Sequence, residues 1–204
     1  MITRALIFDL GNVLVNIDFD RVFQAWASSA GLAVEVIRER FEFDDCYQAH
    51  ERGSIDGRGY YQHVLKLLAA DFSFADFCHG WNEVFVEPTP GIAELLGELS
   101  GRLPLYGLTN TNPLHRVAWQ ARYSKILEPL DKIYVSSDLG CRKPEPAIFE
   151  IVDQDIGVGE RAAIVFFDDT LTNVLGARRH GWTTFQTRTS GQVRAALEAL
   201  PGLF

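Results

Sequence analysis

Cysteine is scarce: only Cys46, Cys78 and Cys141 occur in 204 residues, and they lie far apart. That excludes a disulfide framework and a cysteine-based zinc site, and it fits reduced thiols in a cytoplasmic protein. Long hydrophobic runs are absent as well. No stretch reaches the ~18 apolar residues that a membrane-spanning helix needs. The amino-terminal run Ala5-Leu6-Ile7-Phe8 is interrupted at once by Asp9, so it is neither a signal-peptide core nor a membrane span. Positive charge is in deficit, with 19 Lys and Arg against 27 Asp and Glu and a formal net charge of -8. A chain this acidic repels nucleic acid and anionic lipid at long range, and no local basic patch offsets the repulsion. No nucleic-acid partner and no membrane partner are expected. An anionic substrate would have to meet its positive charge inside the site. Internal repeats and low-complexity tracts are missing too. What remains is an ordinary globular composition, 47% hydrophobic and 23% charged, long enough to bury a sizeable core.

Short apolar runs of strand character recur at 4–8, 104–109, 132–136, 162–167 and 183–186. They lack strict alternation, as strands covered on both faces do. From the second run onward, helical patterns separate them. Ile92, Leu95, Leu96 and Leu99 share one face, and Ile148, Phe149 and Val152 share another. A third pattern opens on Asn173 and stops at Gly181. This alternation predicts an α/β fold, a doubly wound, Rossmann-like parallel sheet. Residues 16–88 break the pattern. Val22-Phe23-Trp26, Val34-Ile37-Phe41 and Tyr60-Tyr61-Val64-Leu65-Leu68 are helical, with little strand signal, and Pro88 and Pro90-Gly91 close the segment. The expected organisation is therefore a core of residues 1–15 and 89–204 with an inserted α-helical cap of about four helices over residues 16–88. An insert leaving after the first strand sits over the carboxyl ends of the sheet, where such folds bind ligands.

The polar residues that end the apolar runs carry the chemistry. Asp9 follows the first run, Thr109-Asn110 the second, Arg142-Lys143-Pro144 lies a little past the third, and Asp168-Asp169 ends the fourth. Parallel strands bring these positions to one crevice. Three carboxylates placed together cannot all stay ionised unaided, and a hard dication with oxygen ligands, Mg²⁺, resolves the conflict. Lys143 adds a point charge suited to phosphate, and Thr109 a hydroxyl and an N–H. Together the parts suit phosphoryl transfer from a small phosphate ester to a carboxylate nucleophile. Singly, each has an ordinary use as a turn, a cap or a surface charge. Four in this order, each ending a different strand, do not.

Phe8-Asp9-Leu10-Gly11-Asn12-Val13-Leu14, Leu108-Thr109-Asn110, Arg142-Lys143-Pro144 and Phe167-Asp168-Asp169 with Asn173 resemble the four motifs of the haloacid dehalogenase-like hydrolase superfamily, over nearly the whole chain. His50-Glu51-Arg52-Gly53, His79-Gly80-Trp81 and Asn110-Thr111-Asn112 narrow the likeness towards the bacterial α-D-glucose-1-phosphate phosphatases. The resemblance implies that Asp9 attacks phosphorus and forms an aspartyl-phosphate. It implies that Thr109 and Asn110 hold phosphoryl oxygens and that Lys143 steadies Asp9 and the transferring group. Asp9, Asp169 and the Gly11 carbonyl would ligate Mg²⁺, with Asp168 as ligand or anchor and Asn173 supporting the loop.

One departure stands out. Most phosphatases of the superfamily carry an acid–base aspartate two residues after the nucleophile, where this chain has Gly11, and such a group contributes ~10² to 10⁴ in rate. Three explanations follow: a good leaving group such as a sugar hemiacetal oxygen, which is preferred; a proton from His50 or Glu51 in the cap; or different chemistry. The alternatives to a phosphatase are a 2-haloacid dehalogenase using the same aspartate and a catalytically weakened binding protein. His50-Glu51-Arg52-Gly53 reads as a loop at the tip of the insert, with His50 and Glu51 as substrate-binding candidates. His115 and Trp119 either pack or line the site. Assembly is left at monomer or homodimer.

Overall fold

The computed structural model describes residues 2–201. Among the described residues seven strands occur: β1 (Ala5–Phe8), β2 (Val15–Ile17), β3 (Phe85–Pro88), β4 (Leu105–Thr109), β5 (Lys132–Val135), β6 (Ile164–Asp168) and β7 (Thr183–Gln186). Five form one parallel sheet in the order β5-β4-β1-β6-β7. β1 lies at its centre and is buried along its whole length, so its sequence is continuously apolar rather than alternating. Leu6 and Phe8 face one core with Leu105, Val165 and Phe167. Ala5 and Ile7 face the other, with Leu108, Ile148, Phe149 and Phe166. Phe8 stacks on Phe167 at 5.1 Å and stands opposite Gly107 on β4. The doubly wound architecture expected from the alternation is the one observed.

The helical faces lie where the spacing put them. All four apolar residues of α6 (Ile92–Leu99) are buried, as are Ile148, Phe149 and Val152 of α9 (Pro146–Ile156). Gly181, at φ +108°, closes α10 (Leu171–His180). The start of α10 differs from expectation. Thr170 is its N-cap, and Asn173 sits inside the first turn, drawn inward by hydrogen bonds to Asp168.

The insert holds five helices, not four: α1 (Phe19–Ala30), α2 (Val34–Arg40), α3 (Asp45–Glu51), α4 (Gly57–Leu68) and α5 (Phe74–Asn82). Val34 and Ile37 mark α2, but α3, with only seven residues, is too short for an apolar period to show. The start of α3 is fixed instead by its N-cap, Asp44, which accepts from the Tyr47 N–H. The chain enters and leaves the insert through β2 and β3, an antiparallel pair of three and four residues that the sequence did not reveal. Trp26 is the hub of the insert. It stacks on Phe77 and Trp81 at 5.3 and 5.4 Å and donates its indole N–H to the Phe77 carbonyl. Between α7 (Pro113–Leu127) and α9 run β5 and the short α8 (Ser136–Leu139), followed by the loop that carries Lys143. The last helix is α11 (Ser190–Glu198).

Candidate active site

The chain runs from β1 to β4 on one side of the sheet and reaches β6 on the other. The crevice at this change of direction is where a doubly wound sheet exposes its strand ends. Asp9, Thr109 and Asp169 meet there with Lys143 around a cavity of about 460 Å³. Gly11, Asn110 and Asn173 line it too.

Lys143 organises the floor. Its side chain is 1% exposed, and Nζ donates to Asp9 Oδ1 at 2.8 Å, Asp168 Oδ2 at 2.7 Å and the Leu108 carbonyl at 2.7 Å. All three N–H donors of the ammonium are thereby used. The two carboxylates outweigh the burial that opposes its charge, and the Lys143 pKa is raised. Asp9 is driven the other way from a normal carboxylate. Its pKa is raised to about 7: burial pushes it up most, Lys143 pulls it down, and Asp168 and Asp169 push it up. Asp9 Oδ1 also accepts the Leu10 N–H at 2.8 Å, so both donors fall on one oxygen.

Asn110 differs from expectation. Its carboxamide oxygen accepts the Lys143 N–H at 2.8 Å and its Nδ2 donates to the Lys143 carbonyl at 2.9 Å. This side chain clasps the lysine loop instead of offering itself whole to a ligand. Asp168 is similarly engaged: Asn173 Nδ2 reaches both of its oxygens at 3.1 Å, the Thr170 N–H one of them at 2.8 Å, and Lys143 the other. Asp169 takes Asn12 Nδ2 at 3.1 Å and the Thr170 hydroxyl at 3.0 Å. Oxygens of Asp9, Asp168 and Asp169 lie within 4.8 Å of one another, all three residues buried. The buried ammonium pairs with Asp9 and Asp168, and the exposed Arg188 guanidinium lies 3.9 Å from Asp169 Oδ2.

Asn12 had no assigned role in the sequence. It adopts φ +55°, its carboxamide oxygen accepts the Ile17 N–H at 3.1 Å, and its amide reaches Asp169, so it ties the first strand's loop to the acidic cluster. The signal available was Gly11-Asn12 itself, since asparagine tolerates the left-handed region. At Gly11 a Cβ would stand 3.2 Å from Ile17 Cδ1, a tight approach that the end of the Ile17 side chain would have to relieve by a few tenths of an ångström.

On the insert side, His50 and Glu51 are the last residues of α3 and are buried; they do not form a solvated loop. Successive helical residues point about 100° apart, and the two side chains part company. Glu51 lines the cavity, and its Oε2 accepts Arg142 Nε at 2.6 Å. His50 is a correction: it does not line the cavity but stacks on Tyr60 at 4.6 Å, with Nδ1 3.2 Å from the Ile55 carbonyl. Gly53, at φ +69°, would place a Cβ 2.5 Å from the Ser137 carbonyl, which explains the glycine after the helix. The Ser136 hydroxyl donates to the Glu51 carbonyl at 2.7 Å, and Arg52 pairs with Glu145, so the end of α3 is tied to α8 at Glu51 and to the start of α9 one residue later. Tyr47, Gln48 and Phe43 complete this wall. His115 and Trp119 both pack and line the cavity. His115 stacks on Trp81 at 4.5 Å and lies 2.9 Å from its carbonyl through Nε2. Burial lowers its pKa to about 3, so the ring is neutral and Nε2–H is the donor.

The haloacid dehalogenase-like hydrolase family model matches residues 3–181. The chain belongs to that family. Among relatives of this hydrolase is D-ribitol-5-phosphate phosphatase of Bacteroides thetaiotaomicron, 25% identical over 203 residues, covering 97% of this chain and 98% of the relative. A solved structure of a HAD family enzyme from the same organism, in complex with magnesium and inorganic phosphate, superposes with a TM-score of 0.79 at 26% identity, over 92% of this chain and 96% of that one. L-2-haloacid dehalogenase from Xanthobacter autotrophicus superposes with a TM-score of 0.69 at 21% identity, over 100% and 85% of the two chains, a likeness of fold alone. The family inferred from the four motifs is thus the family of the hydrolase. Among its described residues, no helix is long and apolar enough to cross a membrane, and Cys46, Cys78 and Cys141 are all free.

Proposed function

We propose that this hydrolase is a Mg²⁺-dependent phosphatase of small sugar phosphates, with Asp9 as nucleophile, working under a helical cap formed by residues 16–88. The observation that carries the reading is Lys143 Nζ bridging Asp9 and Asp168 at 2.8 and 2.7 Å beside Asp169. Three buried carboxylates lie together with one buried cation that pairs with two of them, and an all-oxygen set short of buried positive charge is the donor chemistry that Mg²⁺ takes. Asp9, Asp169 and the Gly11 carbonyl are the groups to hold the ion. Asp168, with both oxygens already engaged, acts as the anchor of Lys143. When bound, the ion would neutralise the carboxylates and draw charge from the phosphoryl oxygens. Halide displacement needs no metal and leaves this cluster without a purpose, and an intact Asp9–Lys143 pair has no use in a site that only binds.

The residues then divide the work. Lys143 and the Leu10 N–H hold Asp9 Oδ1 and orient the carboxylate, leaving Oδ2 to attack phosphorus and form the aspartyl-phosphate. Thr109, buried at the end of β4, lends its hydroxyl and N–H to the phosphoryl group, and Asn110 keeps Lys143 in place. The cavity has room for a small ester, with aromatic walls for a sugar face. α-Glucose 1-phosphate is the first ester to test, because its hemiacetal oxygen leaves readily, and pentitol phosphates are the second, given the ribitol-phosphate relative. Phosphate release from a sugar-phosphate panel should need Mg²⁺ and vanish with EDTA or in Asp9→Asn. Release that survives both treatments overturns the reading.

A further inference from the structure

An ester whose leaving group is an ordinary alkoxide needs a proton at the departing oxygen, and Gly11 provides none. Among the described residues lining the cavity, the candidates can be taken in turn. Asp9 and Asp169 belong to the nucleophile and the metal cluster. Lys143 has all three N–H groups committed. Arg142 spends its Nε–H on Glu51 Oε2. His115 is neutral and spends its Nε2–H on the Trp81 carbonyl. Burial raises the Tyr47 phenol well above its ordinary range. Glu51 is left. Its side chain is 6% exposed, it lines the same cavity as Asp9, and it approaches from the insert side.

We propose that Glu51 is the acid and base of the leaving-group side, taking the place of the acid missing at Gly11. The proposal rests on the phosphatase reading and deepens it. In the first half-reaction Asp9 bonds to phosphorus as the ester P–O bond breaks. The electron pair stays on the departing oxygen, which receives the Glu51 proton, giving a free alcohol and a Glu51 carboxylate. In the second, water attacks phosphorus and gives its proton to Glu51. The Asp9–phosphorus bond breaks, and phosphate leaves with both carboxyls restored to their starting states. Arg142 holds Oε2 in both forms, so Oε1 is the oxygen that carries the proton. The groups facing this carboxyl are Arg142 and Lys143 from the lysine loop and Tyr47 from its own helix. All three favour the anion, and burial outweighs them, which raises the Glu51 pKa.

The test compares wild type and Glu51→Gln, with Mg²⁺, on two probes: glycerol phosphate, with a poor alkoxide leaving group, and 4-nitrophenyl phosphate, with a good one. The variant should lose about 10² to 10⁴-fold in kcat/KM on glycerol phosphate, and its loss on the aryl ester should be smaller by at least tenfold. Wild type should also slow on glycerol phosphate as pH rises through the Glu51 titration, a limb missing in the variant. Equal losses on both esters would make Glu51 a positioning group for Arg142 and overturn the proposal, as would an unaltered alkyl rate. Wild type inert towards both esters and towards the sugar-phosphate panel alike would overturn the phosphatase reading, and inertness towards both esters alone would overturn the proposal. A melting curve checks the fold, and Glu51→Asp carries the same comparison should Glu51→Gln not fold.

Discussion

Replacing Lys143 by methionine keeps most of the side chain's length and removes its charge. Asp9 Oδ1 and Asp168 Oδ2 then lose donors at 2.8 and 2.7 Å, and the Leu108 carbonyl loses one at 2.7 Å. The lysine is 1% exposed and Asp168 wholly buried, so water does not make good the loss. Removing one member of a buried ion pair costs about 3–5 kcal/mol, and two carboxylates depend on this one ammonium. The upper end, about 5 kcal/mol, is expected at neutral pH in EDTA. The loss comes from uncompensated charge, so Lys143→Met combined with Asp168→Asn should recover part of it, with a coupling energy of about 2 kcal/mol. Asparagine preserves an oxygen for the Thr170 and Asn173 donors. Urea unfolding followed by the fluorescence of the four tryptophans measures the four stabilities of the cycle, those of wild type, Lys143→Met, Asp168→Asn and the double variant. A loss under about 1 kcal/mol in the single variant, or strict additivity in the double, would refute the idea that Lys143 neutralises both acids.

His115 should make the protein acid-sensitive. Its folded pKa of about 3 lies below the ordinary 6.5, so the unfolded chain binds the proton first. The contribution is complete above pH 6.5 and falls by about 1.4 kcal/mol per unit below it, or about 2 kcal/mol by pH 5. His115→Gln should flatten that slope in unfolding curves taken from pH 6.5 to 5, and an identical slope would contradict the assignment. Gly80 lies within α5, where alanine normally gains about 1 kcal/mol. Here a Cβ would stand 2.5 Å from Trp26 Cδ1, and overpacking costs about 1–3 kcal/mol. Gly80→Ala should therefore lower the melting temperature, and an unchanged or higher one would show that the hub of the insert yields.

The central sheet was legible because its signals are local. Apolar runs mark strands buried on both faces, and the polar residues that end them, Asp9, Thr109 and Asp168-Asp169, must share an edge once the strands are parallel. Lys143 was legible for the same reason, as a charge in a turn just past β5. The insert was legible only as helical. The seven-residue α3 is too short to print a period, and β2 and β3 are too short to alternate, so their existence rests on a cap and on contacts with distant segments.

Sequence alone therefore determined the sheet, the family and the acidic, lysine-bearing crevice, since each follows from residues adjacent in the chain. The tertiary structure decided how those residues are used. It turned Asn110 onto the lysine loop, tied Asn12 to Asp169, and separated His50 from Glu51. Neighbours in sequence, the two diverge because a helix rotates each residue by about 100°. Which of them then meets the cavity depends on how α3 packs against a loop ninety residues away, and no local pattern encodes that.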